Sequence, residues 1–230
     1  MRLPLKKRVV AEALGTFFLL AAVIGSGIMA ERLANGNSAV ALLANTAATG
    51  GALVALIISF GPLSGAHFNP VVTFTFAVRG RLPWSDAPFY LLAQFIGAIC
   101  GVMAANAMFE LPVVFLSQHT RSGLPQMLSE FIATLGLLAV ILGASRLHVG
   151  TIALAVGAYI SAAAWFTAST SFANPAVTVA RALSDTFAGM RPADVPAFVL
   201  AQCVAAVVVT LLFRWLLPVD NEDTQDSNKR

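Results

Sequence analysis

The feature that most constrains this chain is a series of six long apolar stretches. They fall near residues 9–30, 39–60, 88–108, 127–147, 149–168 and 195–217, and charged residues, Pro or Asn bound each of them. A helix needs about 20 apolar residues to cross the hydrocarbon core of a bilayer. Only 11% of the residues are charged, against about 25% in an ordinary soluble domain. The sequence therefore predicts an all-α membrane protein with six transmembrane helices and excludes a soluble globule.

Basic residues predict how these spans are oriented. Lys6, Lys7 and Arg8 adjoin the first span, and cytoplasmic segments of membrane proteins are enriched in Lys and Arg. An even number of spans returns the chain to the same side, so both termini are predicted to be cytoplasmic in a multi-pass protein of the inner (plasma) membrane. The net charge of +3 is accounted for by such flanking residues and implies no nucleic-acid partner. The polar residues 221–230 are predicted to form a disordered cytoplasmic tail.

The chain is internally duplicated. The segment AEALGT at 11–16 recurs as SEFIAT at 129–134, NPVVT at 69–73 recurs as NPAVT at 174–178, and AQ at 93–94 recurs at 201–202. Each half, about 8–108 and 127–217, thus holds three spans and one Asn-Pro segment. Because three is odd, the second half must enter the membrane from the opposite side. The sequence therefore predicts an inverted repeat.

The two Asn-Pro segments predict re-entrant half-helices. The stretches 68–78 and 173–183 are apolar but too short to span the bilayer. Asn is a good helix N-cap and Pro fits the first turn. Irregular backbone at the membrane midplane must be covered by protein or line a wet cavity. We therefore expect the two half-helix N-termini to meet at a pore, where their positive ends and Asn amides face the solute. The residues concerned are Asn69, Pro70, Val71, Asn174, Pro175 and Ala176.

Three further polar residues are predicted to support the re-entrant loops. Glu12 and Glu130 occupy matching positions inside spans, where an ionised carboxylate is rare. We expect both to accept backbone N–H groups from the loops; a proton relay is disfavoured because no chain of titratable partners follows them. His67 precedes the first Asn-Pro pair, and loop support or, alternatively, pH gating is its expected role. No catalytic set, nucleotide loop or metal-ligand spacing is found, so no enzyme activity, cofactor or metal is expected.

These residues resemble the motifs of the major intrinsic protein family of aquaporins and aquaglyceroporins. The resemblance rests on SGAHFNP at 64–70, NPA at 174–176 and the Glu-x-x-x-Thr pair, and it covers residues 8–217. It implies a single aquaporin-like channel domain over residues 1–220, an hourglass pore in the lipid bilayer, a homotetramer, and passive movement of water and small neutral solutes. Two departures are Val71, in place of Ala, and Val177, where most members have an Arg.

Counting residues from the two Asn residues places the family's selectivity filter at Thr49, Ala162, Ser171 and Val177, with Phe172 as an alternative to Ser171. All four side chains are small and uncharged, so the mouth is expected to be wide and nearly uncharged, with cation exclusion left to the half-helix dipoles. Val177 in this setting resembles the bacterial aquaglyceroporins associated with arsenic resistance, the AqpS type. That resemblance implies arsenous acid and methylated arsenicals as solutes, beside glycerol-like polyols, urea and water. A secondary transporter with inverted repeats, a water-selective aquaporin and a membrane enzyme are the alternatives.

Overall fold

The computed structural model describes residues 3–217, and all regular structure in that range is helical. Six helices are long and apolar enough to cross a membrane, and two short helices begin at the Asn-Pro pairs. The predicted all-α fold with six spans and two half-helices is therefore confirmed. The helices are α1 Leu5–Leu33, α2 Ser38–Ser64, α3 Pro70–Val78, α4 Ala87–Met108, α5 Leu124–Gly143, α6 Val149–Phe166, α7 Pro175–Arg181 and α8 Val195–Leu216, with a 3₁₀ turn at Pro192–Asp194.

The two halves of the chain repeat the same packing in inverted order. In the first half α1 packs against α2 and α4, and in the second half α5 packs against α6 and α8. The halves meet where α2 contacts α6 and where the half-helices α3 and α7 contact each other. Each half-helix also packs against the last span of the other half, α3 against α8 and α7 against α4. The half-helices are therefore held between the two repeats.

Small residues allow the closest helix contacts. A Cβ atom at Gly97 of α4 would collide with the backbone carbonyl of Ala13 in α1. At the α2–α6 contact, a Cβ atom at Gly157 would lie 2.7 Å from the carbonyl oxygen of Gly50 and 2.6 Å from Val54. Apolar burial gives little net attraction between helices in lipid, so close backbone approach of this kind supplies the packing energy.

Both half-helices begin at their Asn-Pro pair. Asn69 and Asn174 have extended backbone, with φ of −155° and −159°. The Asn69 side chain accepts from Val71 N at 3.1 Å, and the Asn174 side chain accepts from Ala176 N at 3.0 Å. Pro follows each cap at the first helical position, where its missing N–H leaves no bond unmade. Local sequence thus fixes where each half-helix starts.

The two ends of the described chain lie on the same side of the helix bundle. The Arg79 guanidinium donates to the carbonyl of Leu217 at 2.9 Å, and Arg8 forms an ion pair with Asp86 at 2.7 Å. Both contacts are made beside the segment that joins α3 to α4. The tail predicted at residues 221–230 lies outside the described residues.

Candidate pore and selectivity filter

The loops that lead into the half-helices adopt matching backbone conformations. Ala66 and Phe68 have positive φ of 49° each, and Ser171 and Ala173 have positive φ of 53° and 49°. These positions stand three residues and one residue before Asn69 and Asn174, respectively. Non-glycine residues in the left-handed region cost about 1–3 kcal/mol each and persist only where surrounding structure imposes them.

Glu12 holds the first loop. Its Oε1 accepts from Ser64 Oγ at 2.6 Å and from His67 N at 3.0 Å. Its Oε2 accepts from Phe68 N at 2.7 Å and from Gln94 Nε2 at 2.8 Å. The carboxylate is fully buried, and charge-assisted bonds of this kind are about twice as strong as neutral ones.

Glu130 does the same for the second loop. Its Oε1 accepts from Phe172 N and its Oε2 from Ala173 N, both at 2.9 Å. Gln202 Nε2 donates to Glu130 Oε2 at 2.7 Å and to Thr178 Oγ1 at 2.9 Å. Gln94 makes the corresponding pair of bonds in the first repeat. The carboxylates thus bind the two N–H groups that precede each Asn-Pro pair, which is the geometry that imposes the strained loops.

The two Asn side chains tie the loops together at the centre. Asn69 Nδ2 donates to the carbonyl of Ala173, and Asn174 Nδ2 donates to the carbonyl of Phe68, both at 2.8 Å. Each amide therefore binds the loop of the other repeat while its Oδ1 caps its own helix. Because an amide nitrogen carries two N–H groups, one donor remains on each Asn for a solute oxygen.

The remaining residues of the predicted motifs pack around this centre. Val71 is buried in an apolar cluster with Val72, Leu138 and Val209, so the extra methyl groups relative to Ala are accommodated behind the helix start. Pro70, Pro175 and Ala176 are buried. His67 is buried too, and its Nδ1 lies 3.1 Å from Thr73 Oγ1, within the first half-helix.

A cavity of about 610 Å³ passes the two Asn residues. One end is lined by Ser38, Trp165 and Arg181, and we call it the α7 mouth. The other end, the α3 mouth, is lined by Arg81, Ser145 and Val149. Apolar side chains form most of the wall between them, while Asn45, Thr46 and Thr49 of α2 and the re-entrant loops contribute polar groups. The apolar wall cannot bind a solute strongly, and these polar groups supply the hydrogen bonds.

Comparison with known proteins identifies the architecture. The family model described as Major intrinsic protein matches residues 1–148. Aquaglyceroporin AqpS of Rhizobium meliloti (strain 1021) is 54% identical over 213 residues, covering 93% of this chain and 91% of that protein. Aquaporin NIP2-2 of Zea mays is 32% identical over 195 residues, covering 81% of this chain and 65% of that protein. The chain belongs to the major intrinsic protein family.

A solved structure agrees with this membership. The aquaglyceroporin of Plasmodium falciparum superimposes with a TM-score of 0.72 at 20% identity, over 94% of this chain and 98% of that one. The predicted resemblance is thus confirmed. The chain is a multi-pass membrane channel for small neutral solutes rather than an enzyme.

Three of the four residues predicted to form the filter of this major intrinsic protein line the cavity. They are Thr49, Ser171 and Val177, and Phe172, the alternative to Ser171, lines it as well. Ser171 is buried, and its hydroxyl has no hydrogen-bond partner among the described residues.

Ala162 was wrongly assigned to the filter. It is exposed and does not line the cavity; the α6 residues that line the cavity near this level are Ile160, Ala164 and Trp165. At about 100° per residue, Ala162 points roughly 160° away from Ile160 and Ala164, and only Trp165 at the α7 mouth, with its long side chain, lies on a neighbouring face. Spacing along the chain failed because residues 167–173 form an irregular loop, which does not preserve a fixed count between α6 and the half-helix.

The expectation of a nearly uncharged mouth is also wrong. Arg121, from the segment before α5, and Arg181, the last residue of α7, both line the cavity. Burial lowers the pKa of the Arg121 guanidinium from its ordinary value, and Coulombic attraction to Glu130 opposes that shift. Sequence reasoning missed Arg181 although it follows Val177 by four residues, one helical turn along the same face.

Proposed function

We propose that this major intrinsic protein is a wide facilitative channel for glycerol-like polyols and water. The observation that carries the proposal is Val177, which lines the cavity where most family members have an Arg. Its neighbours Thr49 and Ser171 are small as well. A filter built of small side chains admits solutes broader than one water molecule, because selectivity depends on pore diameter and on the hydrogen-bond groups that line it.

The residue roles in this proposal follow the hydrogen bonds. Asn69 and Asn174 offer one amide N–H each to solute oxygens as these pass the half-helix N-termini. Pro70 and Val71 in the first motif, and Pro175 and Ala176 in the second, start the helices whose positive ends disfavour cations. Glu12 and Glu130 keep the loops in place and are not among the residues that line the cavity, whereas His67 supports the first loop from within the cavity wall.

Arsenous acid and methylated arsenicals extend the solute list. The support is the likeness to an aquaglyceroporin of the AqpS type, at 54% identity, together with Val177. Arsenous acid is a small neutral polyhydroxyl molecule at neutral pH, so a pore that accepts glycerol offers it the same hydrogen-bond groups. Water selectivity alone would require a filter about one water molecule wide.

The channel domain is proposed to extend over residues 1–220, with repeats at about 8–108 and 127–217. We further propose a homotetramer in the inner (plasma) membrane, with both termini cytoplasmic. Lys6, Lys7 and Arg8 support this orientation through the bias of basic residues toward the cytoplasm. The α7 mouth is then the outer one.

Stopped-flow light scattering on proteoliposomes tests the solute range. Water, glycerol and arsenous acid fluxes are compared with those of empty vesicles, and urea serves as a further neutral solute. Glycerol and arsenous acid fluxes well above background are expected. Water flux without glycerol flux would contradict the wide filter and favour the water-selective alternative.

A further inference from the structure

Two arginines face one aromatic ring at the α7 mouth. The guanidinium carbon of Arg181 lies 3.4 Å from the centre of the Phe172 ring, and that of Arg121 lies 5.1 Å from the same centre. All three residues line the cavity. We call this group the arginine–phenylalanine stack.

The donors of Arg181 are not used up by the protein. The residue is only 7% exposed, and its Nε donates to the carbonyl of Ala188. Among the described residues no acceptor is found for either terminal amino group, and neither group is among the fully enclosed unpaired atoms. A buried guanidinium with open donors must obtain its hydrogen bonds from whatever occupies the cavity.

Arg121 is held by the loops around it. Its Nε donates to the carbonyl of Gly189 at 3.0 Å, and one terminal nitrogen donates to the carbonyl of Ser169 at 3.1 Å and to Thr170 Oγ1 at 3.3 Å. These bonds fix the guanidinium beside the ring. The second terminal nitrogen has no acceptor among the described residues and is likewise not enclosed.

The position of Arg181 on α7 brings its charge toward the filter. It stands one turn beyond Val177, and side chains on a helix lean toward the N-terminus of that helix. The long side chain therefore returns toward the level of Val177 and reaches the Phe172 ring. The positively charged guanidinium of Arg181 thus reaches the filter region from the next turn of α7.

We propose that Arg181, assisted by Arg121, replaces the filter arginine that Val177 lacks. The stack forms a site for small neutral polyhydroxyl solutes: the guanidinium groups bind solute oxygens, and the Phe172 ring contacts the carbon side. The same charges repel cations that enter the α7 mouth. This inference rests on the proposed function, because it specifies how the wide filter remains selective.

The electrostatic repulsion between Arg181 and a cation in the α7 mouth is large enough to measure. Two unit charges about 6 Å apart, at an effective dielectric constant near 20, interact strongly enough to change cation occupancy on the order of a hundredfold. Dissolved ions in the water-filled mouth screen part of this repulsion. We therefore expect loss of the Arg181 charge to raise K⁺ conductance about tenfold or more.

The test compares four variants in planar bilayers and proteoliposomes. Arg181→Met removes the charge but keeps a long apolar side chain, Arg181→Lys keeps the charge, and Arg121→Met removes the assisting cation. Arg32→Met is the matched control, because the Arg32 guanidinium lies 5.1 Å from the Phe109 ring and donates to the Phe109 carbonyl on the exposed surface, away from the cavity. K⁺ conductance and glycerol flux are measured on each.

The expected result is raised K⁺ conductance with reduced glycerol flux in Arg181→Met, smaller changes of both in Arg121→Met, and wild-type K⁺ conductance in Arg181→Lys and Arg32→Met. Unchanged K⁺ conductance in a folded, glycerol-conducting Arg181→Met overturns the proposal. So does a rise of equal size in Arg181→Lys, which would indicate a packing role only. If Arg181→Met does not fold, an unchanged Arg121→Met overturns it. Absence of glycerol flux in the wild type contradicts the proposed function instead.

Discussion

Replacing Glu130 by Gln changes a single atom in the support of the second re-entrant loop. The carboxylate accepts from Phe172 N, Ala173 N and Gln202 Nε2. Gln has one acceptor oxygen and one amino group in the same space. One of the two loop N–H groups therefore faces a donor and loses its acceptor.

The loss of folding stability in Glu130→Gln can be worked out from these hydrogen bonds. A buried N–H left without an acceptor costs about 1–3 kcal/mol, and the surviving bond to the loop loses charge assistance of about 1 kcal/mol. Gln202 offsets part of this, because its Oε1 has no partner among the described residues and can turn to accept from the new amino group. We expect Glu130→Gln to destabilise the protein by about 2–4 kcal/mol. For a protein of this size that corresponds to a fall in Tm of roughly 5–15 °C.

Thermal unfolding of the purified protein in detergent measures this change, and glycerol flux in proteoliposomes measures its consequence for the pore. Flux should fall, because Ser171 and Ala173 are released from their strained backbone conformations. Glu12→Gln should behave similarly, since it has the matching role in the first loop. Glu31→Gln is the control: it lies on the exposed end of α1. A Tm of Glu130→Gln within about 2 °C of the wild type, where 1 kcal/mol corresponds to about 2–4 °C, would refute the reasoning.

Three further changes test other parts of the pore. Val177→Arg should narrow the mouth and reduce glycerol flux at least several-fold more than water flux; equal losses in stopped-flow measurements would contradict the filter assignment. Ile160→Trp should reduce glycerol flux severalfold and Ala162→Trp should leave it near wild type, because only Ile160 lines the cavity; the reverse order would restore the original assignment. Gly15→Ala should lower Tm, since a Cβ atom there would collide with the Phe68 ring, and it should lower Tm less in a Phe68→Ala background than in the wild type; an equal loss in both backgrounds would mean that the collision is not the cause.

The fold and the loop supports were open to prediction because their signals are local and repeated. Apolar length indicates each span, and an Asn-Pro pair contains both the cap and the first-turn residue of a half-helix. Glu12 and Glu130 were recognisable because a carboxylate in an apolar helix needs donors, and the repeat placed both at the same depth. Their acceptance of loop N–H groups in the structure agrees with that reasoning.

The filter was harder because it joins distant segments. Counting back from Asn174 to α6 crosses a loop with left-handed residues at Thr170, Ser171 and Ala173, and such a loop can hold the same number of residues at different helix rotations. The count therefore selected Ala162, on the wrong face of the helix. A better guide within the sequence is the series of large apolar residues at 152, 156 and 160, which follows one face of α6.

The charge of the α7 mouth could be predicted from the sequence only in part. A single missing Arg at position 177 was taken as the absence of charge, although helix geometry puts position 181 on nearly the same face, and a long side chain there leans back toward the filter. That part could have been inferred from the sequence. The contribution of Arg121 could not, because nothing near residue 121 indicates contact with Phe172; the contact arises only when the segment before α5 folds over the second re-entrant loop. Filter charge is therefore a property of several segments together, and it has to be evaluated from every cation that reaches the cavity rather than from one motif position.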